Sequence, residues 1–420
     1  MPSIREPGAA AQFLSRAASL SFLLLAAALP WSIAPMSIAV GICGALTLAV
    51  WWRPGGPRWV RTPIDLPALG WVAALGIATV AGQDPSGSAG RISKALLLAL
   101  VPLAAFHARD PKLARRATAV LLVSAAVATI YALTRFAAEG GIFPARVRGA
   151  AGHALTYGGQ AMLLATLATA MLFRSRDRRW MIASAALLTL VAPALLGSFT
   201  RSAWVGTLVA VGVILTLTRA RLVAALAGIV MIVILVLPSG YRDRAMSAFD
   251  PGSPWNVERL RIWTAGWRMF QDHPVTGVGL QDLHPLIERY YPPGVEVSHG
   301  HLHSIYVQVA ATMGIVGLAA FAWLVVGLFR AAGRGLKADL HGVRGADPRA
   351  GPGGGVPAPD PFGLALRLAA VSALAGFLVA GLFEWNFGDE ELLDFLFTLV
   401  GMAFAASGWS RMWPAEPPSS

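Results

Sequence analysis

Charged residues are scarce in this sequence. Asp, Glu, Lys and Arg make up 13% of the 420 residues, whereas soluble domains carry about 25% of these types. Hydrophobic residues make up 56%, and long uncharged apolar runs such as residues 180–197 recur along the chain. These features exclude a soluble globular protein and predict a polytopic membrane protein.

Cysteine is almost absent. The single cysteine, Cys43, lies in an apolar stretch, which excludes disulfides within the chain, Cys-X-X-Cys redox pairs and cysteine zinc clusters. A metal site would therefore need histidine and carboxylate ligands.

Apolar windows of about 20 residues, bounded by charges or by Pro/Gly clusters, define about twelve membrane spans. They predict an all-α polytopic fold with approximate spans at residues 17–34, 35–52, 64–82, 92–108, 117–136, 153–173, 180–197, 202–217, 222–237, 303–329, 363–384 and 392–407. The first span is similar to a signal peptide, because Arg5 and Arg16 precede it and small residues end it before Pro30. Since many further spans follow, we interpret it as a retained helix.

Lysine and arginine are concentrated in alternate short loops between these spans. By the positive-inside rule, the side that carries them is cytoplasmic, and both termini lie there. The residues concerned are Arg5, Arg16, Arg53, Arg58, Arg61, Arg109, Lys112, Arg115, Arg116, Arg174, Arg176, Arg178, Arg179, Arg219, Arg221 and Arg411. The net charge of +12 is therefore largely a topology signal, and we expect no nucleic-acid partner.

Two hydrophilic segments interrupt the membrane pattern and divide the chain. The expected parts are an N-terminal bundle of about nine spans at 1–237, a large helical periplasmic loop at 238–300 between spans nine and ten, the tenth span at 301–329, a cytoplasmic linker at 330–362, and the last two spans with the C-terminal tail at 363–420. The loop has balanced charge and enough aromatic residues to fold. The linker is rich in glycine and proline, which predicts disorder.

Within the loop, residues 256–271 predict a helix with Asn256 as its N-cap. An apolar stripe, expected to lie on the bilayer or on the bundle, consists of Leu260, Trp263, Trp267 and Phe270. Arg259 precedes Trp263 by four residues, so its guanidinium can stack on the indole and bind a phosphate. On another face lie Arg261 and Arg268. The alternative is an interfacial helix whose arginines reach lipid headgroups.

Histidines cluster where the loop re-enters the membrane, at His299, His301 and His303. A histidine there can take a proton from a sugar hydroxyl, which is general-base chemistry. The same spacing suits a metal, with carboxylates available at Glu296, Asp389 and Glu390. Structural histidines at a helix start are the third interpretation. The spacing alone leaves all three open.

Further cations lie on the outer side, against the topology rule. Arg201 occupies a very short turn between two spans, and the other outer cations are Arg91 and Lys94 at the start of a span, and Arg146 and Arg148 before His153 and Tyr157. An anionic lipid-linked diphosphate would compensate this charge. So would structural ion pairs with the acidic residues of the last outer turn, which are Glu384, Asp389, Glu390, Glu391 and Asp394. Both explanations stay open at this stage.

Four motifs in order resemble the O-antigen ligase and polymerase superfamily. They are Arg259-Leu-Arg-Ile-Trp263, Asp272-His-Pro-Val-Thr-Gly277-Val-Gly279-Leu280, His301-Leu-His303-Ser-Ile-Tyr-Val-Gln308 and Met313-Gly-Ile-Val-Gly-Leu318. The similarity is strongest over residues 197–318, and residues 381–389 are similar to that family's penultimate span and turn. The order and spacing of the motifs make the resemblance specific.

The resemblance implies a membrane glycan ligase at the periplasmic face of the bacterial inner membrane. It would transfer a glycan, with inversion, from undecaprenyl diphosphate to an acceptor hydroxyl, and it would need no nucleotide or metal cofactor. Lipid A-core is the acceptor expected first; a polysaccharide polymerase and an oligosaccharyltransferase acting on protein are the alternatives. Membrane lipid surrounds the site.

The family's motifs assign catalytic roles to His303, Arg201 and Arg259. Ser304 stands where the family usually has asparagine. Substrate-binding roles are expected for Arg261, Arg268, His301, Gln308, Arg91, Lys94, Arg146, Arg148 and Tyr157. A transporter or flippase is the alternative outside enzymes, but such proteins commonly show internal repeats and charges near the membrane midplane, and neither is evident in the sequence.

Overall fold

The computed structural model describes residues 8–53, 56–57, 61–141, 144–236, 238–295, 297, 300–345 and 360–408, and these form helices without a β-strand. The α-helices are α1 Ala9–Ala28, α2 Ile33–Trp52, α3 Asp65–Ala81, α4 Pro85–Ala89, α5 Leu100–His107, α6 Pro111–Ala138, α7 Ala154–Arg174, α8 Arg178–Gly197, α9 Arg201–Arg219, α10 Leu222–Val236, α11 Ser239–Met246, α12 Pro254–Asp272, α13 His284–Tyr290, α14 Ile305–Gly333, α15 Leu336–Gly345, α16 Pro361–Ala380 and α17 Glu390–Ala405. Two 3₁₀ helices, Gly90–Ala99 and Asn386–Gly388, complete the described fold. The all-α prediction is confirmed for these residues.

Nine helices of the described chain are long and apolar enough to cross a membrane. They are Ala9–Ala28, Ile33–Trp52, Pro85–His107, Pro111–Ala138, Ala154–Arg174, Arg178–Gly197, Arg201–Arg219, Ile305–Leu340 and Pro361–Ala380. Asp65–Ala81 and Leu222–Val233 are shorter apolar helices. The protein is thus a polytopic membrane protein, while the count of about twelve spans stays a prediction.

Helices α7 and α16 occupy the centre of the bundle, because nearly all of their residues are buried. Helix α16 packs on α7 and α9, and α7 also packs on α8. Small residues permit this close packing. Where α9 crosses α16, a Cβ added to Gly206 would lie 2.7 Å from the carbonyl oxygen of Gly376.

Helix α14 is broken at Gly314, which has a φ of +60°. The loop segment at residues 274–279 enters the break and supplies hydrogen-bond partners for the interrupted helix. Ile315 N donates to Pro274 O (2.9 Å), and Val278 N donates to Ala311 O (2.9 Å). An irregular backbone within a spanning helix is tolerated where other protein groups satisfy it. Gly277 and Gly279 of the second sequence motif and Gly314 of the fourth therefore lie where the loop joins the bundle.

The described part of the long loop between α10 and α14 folds around its own hydrophobic core, which includes Ile262, Met269, Val278, Ile287 and Leu302. The face that α12 buries differs from the predicted stripe. Its buried residues are Ile262, Ala265, Gly266 and Met269. Leu260 and Trp267 of the predicted stripe are both 55% exposed. Of the positions predicted for the stripe, Leu260 and Trp267 do not pack on the bundle, because the small residue Gly266 allows the other face to approach Leu302 and Val307. A position on the bilayer stays a prediction.

The prediction that disorder begins at residue 330 is wrong for the described part of the linker. Helix α14 continues to Gly333, and α15 follows it over Leu336–Gly345. Leu336 and Leu340 pack with Leu364 of α16. The buried Arg367 of α16 donates to the carbonyl oxygen of Arg334 and pairs with Asp339. Residues 346–359 of the predicted linker, together with Arg5, Arg58 and Arg411, lie outside the described residues.

Candidate functional site

His303 lies directly before α14, in a strained backbone conformation. Its φ is +48°, a region that residues other than glycine rarely adopt. Ser304 caps α14 by accepting a hydrogen bond from Val307 N (3.5 Å). The buried amide of Gln308 accepts a hydrogen bond from Leu302 N (2.8 Å). These contacts hold the strained turn, and strain of this kind is concentrated at functional sites.

Glu384 is the hydrogen-bond partner of His303, although 81 residues separate them. Its Oε1 lies 3.0 Å and its Oε2 3.3 Å from His303 Nδ1. The backbone N–H of Trp385 also donates to Oε1 (3.0 Å). Glu384 belongs to the outer turn after α16, and Ile305 N donates to Gly381 O (2.8 Å) at the start of that turn. The turn and the His303 segment are therefore fixed to each other.

Burial of the Glu384 carboxyl is the largest influence on its pKa and raises it. Hydrogen bonding to His303, the charges of His303 and His301, and the Trp385 N–H together outweigh burial, so the pKa lies below its ordinary value. Glu384 is therefore ionised near neutral pH. Because a carboxylate can only accept hydrogen bonds, His303 Nδ1 carries the proton and donates it. The basic nitrogen of the neutral ring is then Nε2.

His301 lies next to this pair. Its ring centroid is 4.1 Å from that of His303, and its Nδ1 is 4.0 Å from Glu384 Oε1. His301, His303 and Glu384 each offer an atom, all within 4.8 Å of one another, that could hold a metal ion. The hydrogen bond between His303 and Glu384 already occupies two of these atoms, and a metal would have to displace its proton.

The other residues predicted for a metal site fall elsewhere. His299 and Glu296 lie outside the described residues. Asp389 caps α17 and accepts from the hydroxyl of Thr156 (2.7 Å). Glu390 pairs with Lys94 at 3.3 Å. The structure therefore groups neither Asp389 nor Glu390 with the histidines.

A turn at residues 198–200, between α8 and α9, contacts arginines from distant segments. Arg146 donates to Ser198 O (2.8 Å) and to the hydroxyl of Thr200 (3.1 Å). Arg244, from α11, donates to Phe199 O (3.5 Å). Phe199 has a φ of +51°, so it and His303 are the two non-glycine residues with positive φ in the described ranges. Both strained positions adjoin the candidate site.

Arg201 is the first residue of α9 and is buried. Its guanidinium donates to the hydroxyl of Ser247 (3.1 Å) and to the side-chain oxygen of Asn256 (3.2 Å). The prediction that Asn256 caps the loop helix is wrong, because α12 begins at Pro254, with Ser253 at the cap position. Asn256 instead joins Arg201 to the preceding turn, where its amide donates to Asp250 O (2.8 Å).

Arg259 projects from α12 into the same region. Its Nε is buried and has no hydrogen-bond partner within the part of the chain that the structure describes. Burial lowers the pKa of Arg259, and the negative charge of Glu384 opposes that effect. The predicted stacking of Arg259 on Trp263 is not among the ring contacts of the described residues; Arg244 lies over Trp255 instead, 4.9 Å from the ring centroid.

These four residues, Arg146, Arg201, Arg244 and Arg259, are called the arginine cluster below. Burial lowers the pKa of Arg146 and that of Arg244, the latter to about 10, and neighbouring arginines lower both further. For the described residues, no carboxylate lies within 4.0 Å of any member. Glu384 acts on Arg146 and Arg259 only through longer-range attraction. Guanidinium groups that are partly desolvated and have no carboxylate nearby to balance their positive charge are suited to bind an anion with several oxygens.

One cavity of about 100 Å³ lies beside the turn that carries Glu384, and its lining includes Arg91, Lys94 and Gln308. Lys94 donates to Gly388 O (2.8 Å) and pairs with Glu390. Lys94 therefore forms one of the predicted ion pairs, and its substrate-binding role stays a prediction.

The remaining predicted site residues are not members of the arginine cluster, although the charge of Arg148 contributes to the lowered pKa of Arg146. Arg261 is exposed, with Glu258 as its partner at 3.9 Å. Arg268 is exposed and donates to Tyr290 O (3.4 Å). Arg148 is exposed with Glu139 at 3.8 Å, and Tyr157 is buried within the bundle against Gly149. Of the two loop arginines, the structure places Arg259 in the cluster and Arg261 outside it.

Sequence reasoning missed two members of the site. Arg244 was not singled out, because nothing in the sequence distinguishes it from Arg242 nearby. Glu384 was considered only as part of an ion-pair network. A signal for Glu384 did exist, since it is the acidic residue within the 381–389 segment that resembles the family's outer turn.

Comparison with known proteins agrees with the motifs. Residues 186–322 match the protein family described as O-antigen ligase. The resemblance to the O-antigen ligase and polymerase superfamily is thereby confirmed for these residues, and it supports a membrane enzyme of the ligase or polymerase type. No curated protein matches the chain.

The match to the O-antigen ligase family covers about a third of the chain and includes only part of the site. Arg201, Arg259 and His303 lie within it, whereas Arg146 and Glu384 lie outside. Two charged groups that neighbour the matched region therefore come from segments that flank it.

Proposed function

We propose that the protein transfers a glycan from undecaprenyl diphosphate to an acceptor hydroxyl, with lipid A-core as the first acceptor to test. The reaction takes place at the periplasmic face of the bacterial inner membrane and needs no metal. The observation that carries the proposal is the His303–Glu384 hydrogen bond in the same outer region as the arginine cluster. Such a site offers a base for one substrate and an anion-binding region for the other.

His303 is proposed as the general base. With Nδ1–H donating to Glu384, Nε2 accepts the proton of the acceptor hydroxyl while that oxygen attacks the anomeric carbon. Glu384 orients the ring and stabilises the imidazolium that forms, the role that a carboxylate plays beside histidine in hydrolytic triads. Glu384 is thus a positioning residue that acts through His303.

The arginine cluster is proposed to bind the diphosphate. As the new C–O bond forms, the bond between the anomeric carbon and the phosphate oxygen breaks, and its electron pair leaves with the diphosphate. Guanidiniums already in place stabilise the charge that develops there. Attack from the face opposite the leaving group inverts the anomeric centre.

The decisive experiment incubates purified protein with an undecaprenyl-diphosphate glycan and lipid A-core in the presence of EDTA. Wild type is compared with His303→Ala, Arg201→Ala and Arg259→Ala. The matched controls are His153→Ala, an exposed histidine at the start of α7, and Arg261→Ala, an exposed arginine two residues after Arg259. We expect wild type and controls to transfer glycan to lipid A-core and the three site variants to lose transfer.

Each other outcome has a definite meaning. Longer lipid-linked glycan instead of glycosylated lipid A-core would identify a polymerase. Loss of transfer in EDTA, restored by added Zn²⁺, would show that His301, His303 and Glu384 hold a metal. Near-normal transfer by His303→Ala would refute its role as the base. Movement of lipid-linked glycan across vesicles without a covalent change would favour a flippase.

A further inference from the structure

A second cationic region lies beside the turn that carries Glu384. It is the cavity of about 100 Å³ whose lining includes Trp71, Arg91, Lys94, Gln308, Trp385 and Phe387. We call it the aromatic–cationic pocket. No member of the arginine cluster lines it. Glu384 contacts His303, while Trp385, Phe387 and Gly388 of the same turn line the pocket.

The lining combines flat apolar surfaces with positive charge. The rings of Trp71 and Phe387 meet edge to face with centroids 5.4 Å apart. The ring centroids of Trp385 and Phe387 are 6.4 Å apart. Aromatic faces with a few convergent polar groups are typical of sites for small organic ligands. The apolar faces of a sugar ring can pack on such surfaces, while its hydroxyls meet the polar groups.

The charged groups of the lining are both cationic. Lys94 is anchored by Gly388 O and by Glu390, so its position is defined. Arg91 is exposed, and among the residues that the structure describes it has no carboxylate within 4.0 Å. A planar guanidinium with no ion-pair partner is suited to bind a phosphate in bidentate fashion.

Two lining residues connect the pocket to the base. Gln308 accepts the hydrogen bond from Leu302 N, directly before His303. The N–H of Trp385 donates to the Glu384 oxygen that also binds His303. A ligand held against Gln308 and Trp385 therefore lies next to the segments that position the base.

We propose that the aromatic–cationic pocket binds the acceptor, and that the acceptor is a phosphorylated saccharide. The inference rests on the proposed function, because a transfer reaction needs separate places for two substrates. The arginine cluster takes the diphosphate of the donor. The pocket takes a sugar unit of the acceptor, with its phosphate on Arg91 and Lys94, and directs a neighbouring hydroxyl toward His303.

The test compares phosphorylated lipid A-core with the same acceptor after phosphatase treatment. The variant is Arg91→Ala with Lys94→Ala, and Arg91→Ala alone serves as a second variant, because Arg91 holds no ion pair in the described structure whose loss could disturb the fold. The control is Arg289→Ala, an exposed arginine of α13 on the outer loop. Two quantities are measured in detergent: binding of each acceptor with no donor present, and the KM of each substrate in transfer.

We expect the double variant to bind phosphorylated acceptor at least about tenfold more weakly, since it loses two charge-assisted contacts. Its KM for phosphorylated acceptor should rise by a similar factor, with the KM of the donor and kcat within about twofold of wild type. Arg91→Ala should show part of the effect. With dephosphorylated acceptor, variant and wild type should behave alike, because the charge that the arginine and lysine recognise is gone.

The inference would be overturned if acceptor binding were unchanged in the variants, if the KM of the donor rose instead, or if the loss were equal for both acceptors. Failure of the proposed function has a different signature. Wild type would then bind phosphorylated acceptor in a manner that depends on Arg91 and Lys94, yet would transfer no glycan to it.

Discussion

Replacing Glu384 by glutamine tests the catalytic arrangement most directly. The substitution keeps the size of the side chain and removes its charge. Glutamine can present its NH₂ group to His303 Nδ1, which would then have to accept rather than donate. The ring would take the other tautomer, and Nε2 would carry a proton where a base is needed.

The expected loss follows from the role of the base. General-base catalysis contributes about 100-fold to 10,000-fold, which corresponds to about 3–5 kcal/mol of transition-state stabilisation. Because Glu384 acts on His303 and contacts no substrate in the proposed mechanism, we expect kcat to fall by at least about 100-fold. The KM values of donor and acceptor should change little.

The assay is the initial rate of glycan transfer by purified protein in detergent, measured at several concentrations of each substrate. Glu288→Gln, at an exposed glutamate of α13, is the matched control and should retain wild-type kinetics. Thermal unfolding of each variant verifies that the protein is folded. A folded Glu384→Gln protein with kcat within about threefold of wild type would contradict a base-positioning role for Glu384.

Three further predictions concern binding and stability. Arg259→Lys keeps the charge but loses the planar fork, so the KM of the lipid-diphosphate donor should rise about tenfold or more in steady-state assays, while Arg261→Lys leaves it unchanged. Gly314→Ala forces a Cβ against the carbonyl of Val275 at a positive φ. We expect the free energy of unfolding, measured by thermal unfolding in detergent, to fall by about 1–3 kcal/mol. An unchanged melting temperature would refute the account of the helix break. The pKa of Glu384 in the folded protein lies below the ordinary value of 4.5. The carboxylate charge therefore stabilises the fold fully above pH 4.5, and this stabilisation disappears as the pH falls through the lowered pKa. The melting temperature of wild type should therefore exceed that of Glu384→Gln near pH 7, and the difference should shrink below about pH 4.

The helical fold could be predicted because the information that specifies it is local. Each apolar run is long enough to require a helix in lipid, whatever its neighbours are. The predicted span at residues 153–173, for example, corresponds to α7 at Ala154–Arg174. The linker prediction was wrong for residues 336–345. Leu336 and Leu340 stabilise a helix there only because α16 provides an apolar surface on which they pack.

The candidate site, too, could be predicted only in part from the sequence. The resemblance to the O-antigen ligase and polymerase superfamily is what pointed to His303, Arg201 and Arg259. The loop helix shows the limit of this reasoning. Its periodicity favoured the stripe that contains Leu260, but a small residue on the other face, Gly266, determined which side packs against the bundle.

By itself, the sequence determined that this protein is a polytopic helical membrane protein. Run length and residue type are enough for that conclusion, because both depend on the solvent that each segment requires. Only the tertiary structure decided which charges meet. Glu384 reaches His303 across 81 residues, and Arg146 and Arg244 converge on the turn before Arg201. Such contacts depend on how the helices are ordered in the bundle, which no local pattern specifies.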